Sequence, residues 1–274
     1  MKAVVINDLA PLYTKPDKDS ELADEALFGM VTTVLDAEKN KDFFLVETHY
    51  RYQGLSPSSC YLLDQDAIST WESLKKWTVQ VNYLDVRKEP HVIAPTLASL
   101  TRGGLLGQIE GESDHDGWTL IQLPCGRRGY VKTPCIREQI TSWNKQNESS
   151  LRKALTDTAK LYIGTQYRWG GKSPLGIDCS GLTSVSYLQN GILIYRDASI
   201  KEGFEMRPIP LDQAKEGDLY FFKGHVAMCL GGRDFIHSTA YRLSPGVTFN
   251  SLDPDSPAYR PDLVEDFKTA GTIF

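Results

Sequence analysis

The segment Tyr167-Arg168-Trp169-Gly170-Gly171 runs through Pro174 and Gly176 to Asp178-Cys179-Ser180-Gly181. Leu182, Val185 and Leu188 then recur at i, i+3 and i+6, and Gly191 stops the pattern. The spacing predicts a helix that begins at or beside Cys179. The first N–H groups of a helix have no partner inside it, and its dipole favours an anion at that end. A thiol placed there is expected to ionise more readily. The same N–H groups can stabilise a developing oxyanion.

A thiolate nucleophile wants a base. Downstream, Gly217 to Phe222 reads as a buried strand, and Gly224-His225-Val226-Ala227-Met228-Cys229-Leu230 as a second. Gly231 to Asp234 makes a turn, and Phe235-Ile236-His237-Ser238 is a third strand. His225 and His237 lie symmetrically about Gly231. A hairpin would set them roughly opposite each other, about 5 Å apart. One imidazole could then hold the tautomer and orientation of the other, which is the order nucleophile, base, orienter.

Working back from this region, Leu151, Leu155, Ala159 and Tyr162 predict an amphipathic helix over 151–163, with Ser149 or Ser150 as its cap. The polar stretch 137–150 reads as a linker. Before it, two stretches are rich in short strands and turn residues. In residues 1–70 the strands fall at Val4 to Ile6, Val31 to Leu35 and Phe43 to Glu47. In residues 78–137, a strand from Gly117 to Leu123 meets a turn at Gly126 and a closing Gly129-Tyr130-Val131. Such spacing suggests small barrels. A short helix over 67–77 would join them.

Bulk composition narrows the function classes. With 41% hydrophobic and 24% charged residues in 274, the chain can build real cores. A net charge of −5 and no Lys/Arg run argue against nucleic acid. No stretch approaches the ~20 apolar residues of a membrane helix, so no membrane partner is expected. Lys2 is followed by too few apolar residues for a signal peptide. Taken as a native start, that places the protein in the cytoplasm. The five cysteines are odd in number and lack a CxxC pair, so neither a zinc site nor a disulfide framework is expected. Four of them are expected to be small buried hydrophobes. Asp114-His115-Asp116 has no second ligand cluster and reads as a solvated loop. Gly103-Gly104 lacks the spacing of a nucleotide site. No metal or cofactor is called for.

Four motifs, YRWGG, DCSGL, GHVAM and FIHST, arrive in the order Cys, His, His. Together they resemble the NlpC-type cysteine peptidases of bacterial cell-wall metabolism, over roughly 151–274. The resemblance implies an α+β, papain-like catalytic domain at 150–274, with Cys179 as nucleophile, His225 as base and His237 as orienting residue. It implies that Tyr167 helps build the oxyanion and substrate pocket, and that Trp169, Asp178 and Ser180 line it. Arg196-Asp197 resembles the family's Arg-Asp segment, while Ala198 stands where a serine is often found. Residues 78–137 resemble a bacterial SH3-like domain, and 1–70 a diverged copy.

This layout looks like the γ-D-glutamyl-L-diamino acid dipeptidyl-peptidase subgroup. The implied substrates are peptidoglycan-derived tri- or tetrapeptides with a free N-terminal L-Ala, L-Ala-γ-D-Glu-L-Lys or its diaminopimelate analogue, met in cell-wall peptide recycling. In that subgroup the first barrel supplies an acid and a tyrosine that select the free amine. Glu25 and Tyr61 are the residues expected in those places. Three other readings fit the same residues: a non-catalytic cell-wall-binding protein, the same fold with acyltransfer or amidase chemistry, and a secreted wall hydrolase whose signal was removed.

Overall fold

The computed structural model describes residues 1–37, 41–111, 116–243 and 245–274. Asp114 and His115 lie outside them. The chain gathers into two compact units, Met1–Gln139 and Ile140–Phe274.

Alternation of buried and exposed side chains builds the first unit as sheet. Its first half contains β1 (Lys2–Val5), β2 (Leu9–Tyr13), β3 (Leu22–Leu27), β4 (Val31–Asp36), β5 (Phe43–Glu47), β6 (Gln53–Pro57) and β7 (Tyr61–Leu62). They pair in the order β3-β2-β6-β5-β4-β1-β7. After α1 (Gln65–Ser73) come β8 (Lys76–Val79), β9 (Tyr83–Arg87), β10 (Thr96–Thr101), β11 (Leu105–Gln108), β12 (Trp118–Gln122), β13 (Arg128–Lys132) and β14 (Ile136–Glu138). Their order, β10-β9-β13-β12-β11-β8-β14, is the first order with every strand advanced by seven. The same turn recurs too: Gly29 and Gly103, between corresponding strands, hold φ of +78° and +87°.

Among the described residues neither ladder closes, so the small barrels that strand spacing suggests are not confirmed: the strands form seven-stranded sheets in which β7 and β14 pair with β1 and β8, and β3 and β10 lie at the far edges.

The joining helix is Gln65–Ser73 rather than 67–77. The Asp64 carboxylate accepts from the N–H groups of Asp66 and Ala67 and sets its start. Trp77 belongs to β8. Trp71 is buried, and its indole N–H donates to the Gly29 carbonyl at 2.9 Å. A Cβ on Gly29 would lie 2.8 Å from the Leu105 carbonyl oxygen and 2.9 Å from the Trp71 ring, so the turn admits only glycine. The Phe28 carbonyl accepts from the N–H of Leu105, and Phe28 packs in the core of the second sheet. The two sheets therefore share one unit.

The second unit opens with a 3-10 turn at Lys145–Asn147 and α2 (Glu148–Lys160). The helix starts three residues earlier than the periodicity predicts, and Asn147, not a serine, stands at its cap position. A hairpin of β15 (Lys172–Ser173) and β16 (Gly176–Ile177) leads into α3 (Cys179–Leu188). The sheet consists of β17 (Arg207–Ile209), β18 (Leu219–Phe222), β19 (His225–Gly231), β20 (Asp234–Thr239), β21 (Gly246–Ser251) and β22 (Phe267–Thr272), with α4 (Pro261–Asp266) before the last strand. All pairs are antiparallel, in the order β17-β22-β18-β19-β20-β21. Tyr220, Phe222, Phe235 and Leu263 form the centre of its core.

Helix α3 packs against β19, β20 and α2 and is buried on every side from Cys179 to Tyr187. Its hydroxyls do not need water: Ser184 and Ser186 donate to the carbonyls of Gly181 and Leu182. Gly181 lies against a neighbouring backbone, where a Cβ would sit 2.2 Å from the Gly171 carbonyl oxygen. Of the four other cysteines, Cys60 and Cys229 are buried as expected. Cys135 is only partly so, and Cys125 is exposed in the turn between β12 and β13. No described helix is long and apolar enough to cross a membrane.

Candidate active site

Cys179 is the first residue of α3, as its sequence position predicts. The preceding Asp178 caps the helix, its Oδ1 accepting from the N–H of Gly181 at 2.5 Å and from the Ser180 hydroxyl at 3.1 Å. Oδ2 accepts from the N–H of Gly170 at 2.9 Å. The Arg196 guanidinium completes the arrangement, with Nη1 3.1 Å from Oδ1 and Nη2 3.0 Å from Oδ2. Nη1 also donates to the Ser180 hydroxyl oxygen at 2.8 Å.

Asp178 and Ser180 were expected to line the substrate site. Both are buried, as Cys179 is, and their polar atoms are engaged by the protein. They hold the start of the helix that carries the thiol. Arg196, noted in the sequence only as part of an Arg-Asp segment, is the cation that makes a buried Asp178 carboxylate tolerable.

The N–H groups of Val226, the residue after His225, and of Ser180 act on the Cys179 thiol and favour its anion. Helix α3 packs against β19, which begins at His225. Burial pushes the thiol up to about 11, and the Asp178 carboxylate adds to the shift. The two N–H groups and Arg196 pull the other way and do not win. The helix start was expected to lower this pKa. Desolvation of a nearly enclosed sulfur outweighs it.

The imidazoles of His225 and His237 are joined, Nε2 to Nδ1, at 2.8 Å. They are not directly opposite. Met228 faces Ile236, so Ala227 rather than His225 is level with His237. The slip arises because Gly231 faces Asp234, which centres the turn between Gly232 and Arg233 rather than on Gly231; Gly231 and Gly232 hold φ of +113° and +60° there. The histidines meet along a diagonal, still within reach of ring side chains. Burial lowers His225 to about 4 and His237 to about 3. Burial thus favours the neutral form of both rings and of the thiol.

Asn250 was missed in the sequence. It lies on β21, opposite Phe235, and its Oδ1 is 2.9 Å from His237 Nε2. Only the register of β21 on β20 reveals it.

Tyr167 makes a parallel bridge with Ile177, two residues before Cys179. Burial raises its hydroxyl pKa, and the nearby Cys179 charge raises it further. Trp169 is 60% exposed, which is a surface position rather than a core one. Glu25 on β3 and Tyr61 on β7 belong to the first unit. Both are buried, and the Tyr61 hydroxyl donates to that of Ser56 at 2.9 Å.

A model of the NlpC/P60 family matches residues 164–258, the stretch that holds the thiol, both histidines and Asn250. Dipeptidyl-peptidase 6 of Lysinibacillus sphaericus is 38% identical over 275 residues, covering 100% of both chains. A gamma-D-glutamyl-L-lysine dipeptidyl-peptidase of Bacillus cereus is 26% identical over 278 residues, covering 92% of this chain and 75% of that one. An NlpC/P60 family protein of Bacillus cereus, solved by crystallography, shares the fold with a TM-score of 0.79 at 22% identity, across 98% of each chain. The end-to-end match to a relative at this identity is decisive: the chain belongs to the NlpC/P60 family of cysteine peptidases, and its α+β second unit is the papain-like domain of that family.

Proposed function

We propose that this cysteine peptidase hydrolyses the γ-D-glutamyl–diamino acid bond of free peptidoglycan stem peptides, with Cys179 as nucleophile, His225 as base and His237 as orienting residue. One observation carries the reading. A buried thiol starts a helix packed against the strand that begins at His225, and His225 Nε2 is hydrogen-bonded to a second histidine. The relatives named as dipeptidyl-peptidases, one of them gamma-D-glutamyl-L-lysine specific by name, support the bond chosen.

The chemistry follows from the neutral resting pair. His225 takes the thiol proton as Sγ attacks the γ-carbonyl carbon of D-Glu. N–H groups at the start of α3 receive the oxyanion, with Tyr167 beside them. The tetrahedral intermediate collapses by breaking the C–N bond, and the departing amine of the diamino acid takes the proton from His225. Water then attacks the thioester carbonyl as His225 takes its proton; the C–S bond breaks, and Sγ leaves with that proton from His225, restoring the thiol. The products are L-Ala-γ-D-Glu and the diamino acid or the peptide it begins.

Trp169, with its exposed ring, is assigned to the substrate surface. Selection of a free L-Ala amine calls for an acidic group beside the N-terminus of the bound peptide. A carboxylate pairs with an ammonium group, and an N-acetylated peptide loses that pairing. The reading places the enzyme in recycling of released wall peptides.

The test is mass spectrometry of L-Ala-γ-D-Glu-L-Lys and its diaminopimelate analogue, free and N-acetylated. Cleavage between D-Glu and the diamino acid, confined to the free peptides, is expected. Equal cleavage of the acetylated forms would remove the amine claim, and cleavage at another bond would remove the substrate claim.

A further inference from the structure

We infer that Asn250 is a positioning residue that fixes the proton arrangement of both histidines and so leaves His225 Nδ1 as the basic nitrogen. The inference rests on the peptidase reading of Cys179 and His225 and adds a fourth member to it.

The chain of hydrogen bonds ends at the backbone of Ala258. Asn250 Nδ2 is 3.0 Å from the carbonyl oxygen of Ala258. A peptide carbonyl can only accept, so the amide NH2 must face it. Oδ1 therefore faces His237, at 2.9 Å from Nε2. An amide oxygen can only accept, so His237 carries its proton on Nε2. A neutral His237 then offers a lone pair on Nδ1. That atom lies 2.8 Å from His225 Nε2, which must be the donor. His225 is left with Nδ1 unprotonated, ready to take the thiol proton. When it does, its Nε2–H bond to His237 is kept, and no group in the relay needs to turn.

The register explains why these atoms meet. His237 faces Thr248 and Phe235 faces Asn250, so Asn250 and His237 share one face of the sheet on a diagonal. His225 and His237 form the second diagonal. Other charges act on the same rings. Arg260 lowers both histidines, and Asp262 raises both. Asp178 raises His225, while His225 itself lowers His237. None of these selects a tautomer, since none makes a hydrogen bond to either ring. Asn250 also has no charge, so it orients the pair without forcing a proton onto it.

The experiment uses the full chain, with Asn250→Leu and Asn250→Asp. Two-dimensional 15N NMR of the imidazoles at pH 7 should show both histidines protonated on Nε2 in the wild type. A wild-type His237 protonated on Nδ1 would overturn the inference without any substrate. In Asn250→Leu, kcat should fall at least tenfold with KM little changed, against the ~10⁴ lost when the orienting residue of a triad no longer holds the right tautomer. Asn250→Asp keeps the acceptor, so kcat should recover to within a few-fold. Its carboxylate should move the acidic limb of the pH profile up by about one unit or more. Both variants lose the Ala258 bond. A role limited to that bond would lower Tm equally in both and leave kcat and the acidic limb where they were, which would also overturn the inference. Cys179→Ala is run alongside. If it stays active, the peptidase reading fails; if it is inactive while the Asn250 variants behave as wild type, only the present inference fails.

Discussion

Replacing Arg196 with methionine strikes the contact on which the position of Cys179 depends. The guanidinium makes three contacts of 2.8 to 3.1 Å, two to the Asp178 carboxylate and one to the Ser180 hydroxyl. The two charged side chains are 1% and 8% exposed, so solvent does not screen them. Removing one partner of a buried pair costs about 3–5 kcal/mol, because the remaining charge keeps its desolvation penalty. Three donors stay on the carboxylate, from Gly170, Ser180 and Gly181. They place the loss near the lower end, about 3 kcal/mol, or more than a hundredfold in the folding equilibrium. The matching double variant, Arg196→Met with Asp178→Asn, removes the stranded charge and should recover about half of that loss or more. Urea denaturation at pH 7 measures both. The single variant should also lower kcat, since Asp178 caps the helix that begins at Cys179. A loss below about 1 kcal/mol for the single variant, the worth of an exposed pair, would refute the reasoning. So would a double variant no more stable than the single one.

Acid should destabilise the fold through the histidines. His225 falls from 6.5 to about 4 on folding, so between those values the unfolded chain binds more protons. The stability is present above pH 6.5 and lost as pH drops towards 4. A shift of about 2.5 units amounts to about 3 kcal/mol. Urea midpoints from pH 7 to 4 should fall less steeply in His225→Gln than in the wild type; parallel curves would contradict the assignment. Gly181→Ala should destabilise by about 3 kcal/mol, the upper end for overpacking, since its Cβ would lie 2.2 Å from a backbone oxygen. Gly126→Ala, where no atom lies within 4 Å of the added Cβ and only the positive φ is penalised, serves as the control. It should lose about 1 kcal/mol, and equal losses at the two positions would show that the close approach at Gly181 is not what matters.

The sequence made the nucleophile end of the site legible because its signals are local. A capping aspartate, a cysteine and a helical repeat fall within eleven residues, Asp178 to Leu188. The two histidines were readable as neighbours, since a glycine turn between apolar strands implies a hairpin. Their diagonal meeting was not, because the turn is centred between Gly232 and Arg233 and not on Gly231. Asn250 needed the register of a further strand, and the strand from Gly246 was not read at all. Arg196 reaches Asp178 across eighteen residues of chain, a contact that no local pattern encodes. The thiol pKa went the opposite way from the helix-start expectation because burial is a property of the assembled fold. In the first unit, strand spacing revealed the sheets, but only the pairing shows that one strand order is used twice and left open.

The most direct test of the central claim is trapping of the acyl-enzyme. The full chain, mixed with L-Ala-γ-D-Glu-L-Lys and quenched in acid within milliseconds, is digested and examined by mass spectrometry. The account predicts an L-Ala-γ-D-Glu adduct as a thioester on the peptide containing Cys179. It should be absent in Cys179→Ala and formed much more slowly in His225→Ala. Turnover that survives in Cys179→Ala, or an adduct on Cys60, Cys125, Cys135 or Cys229, would contradict it.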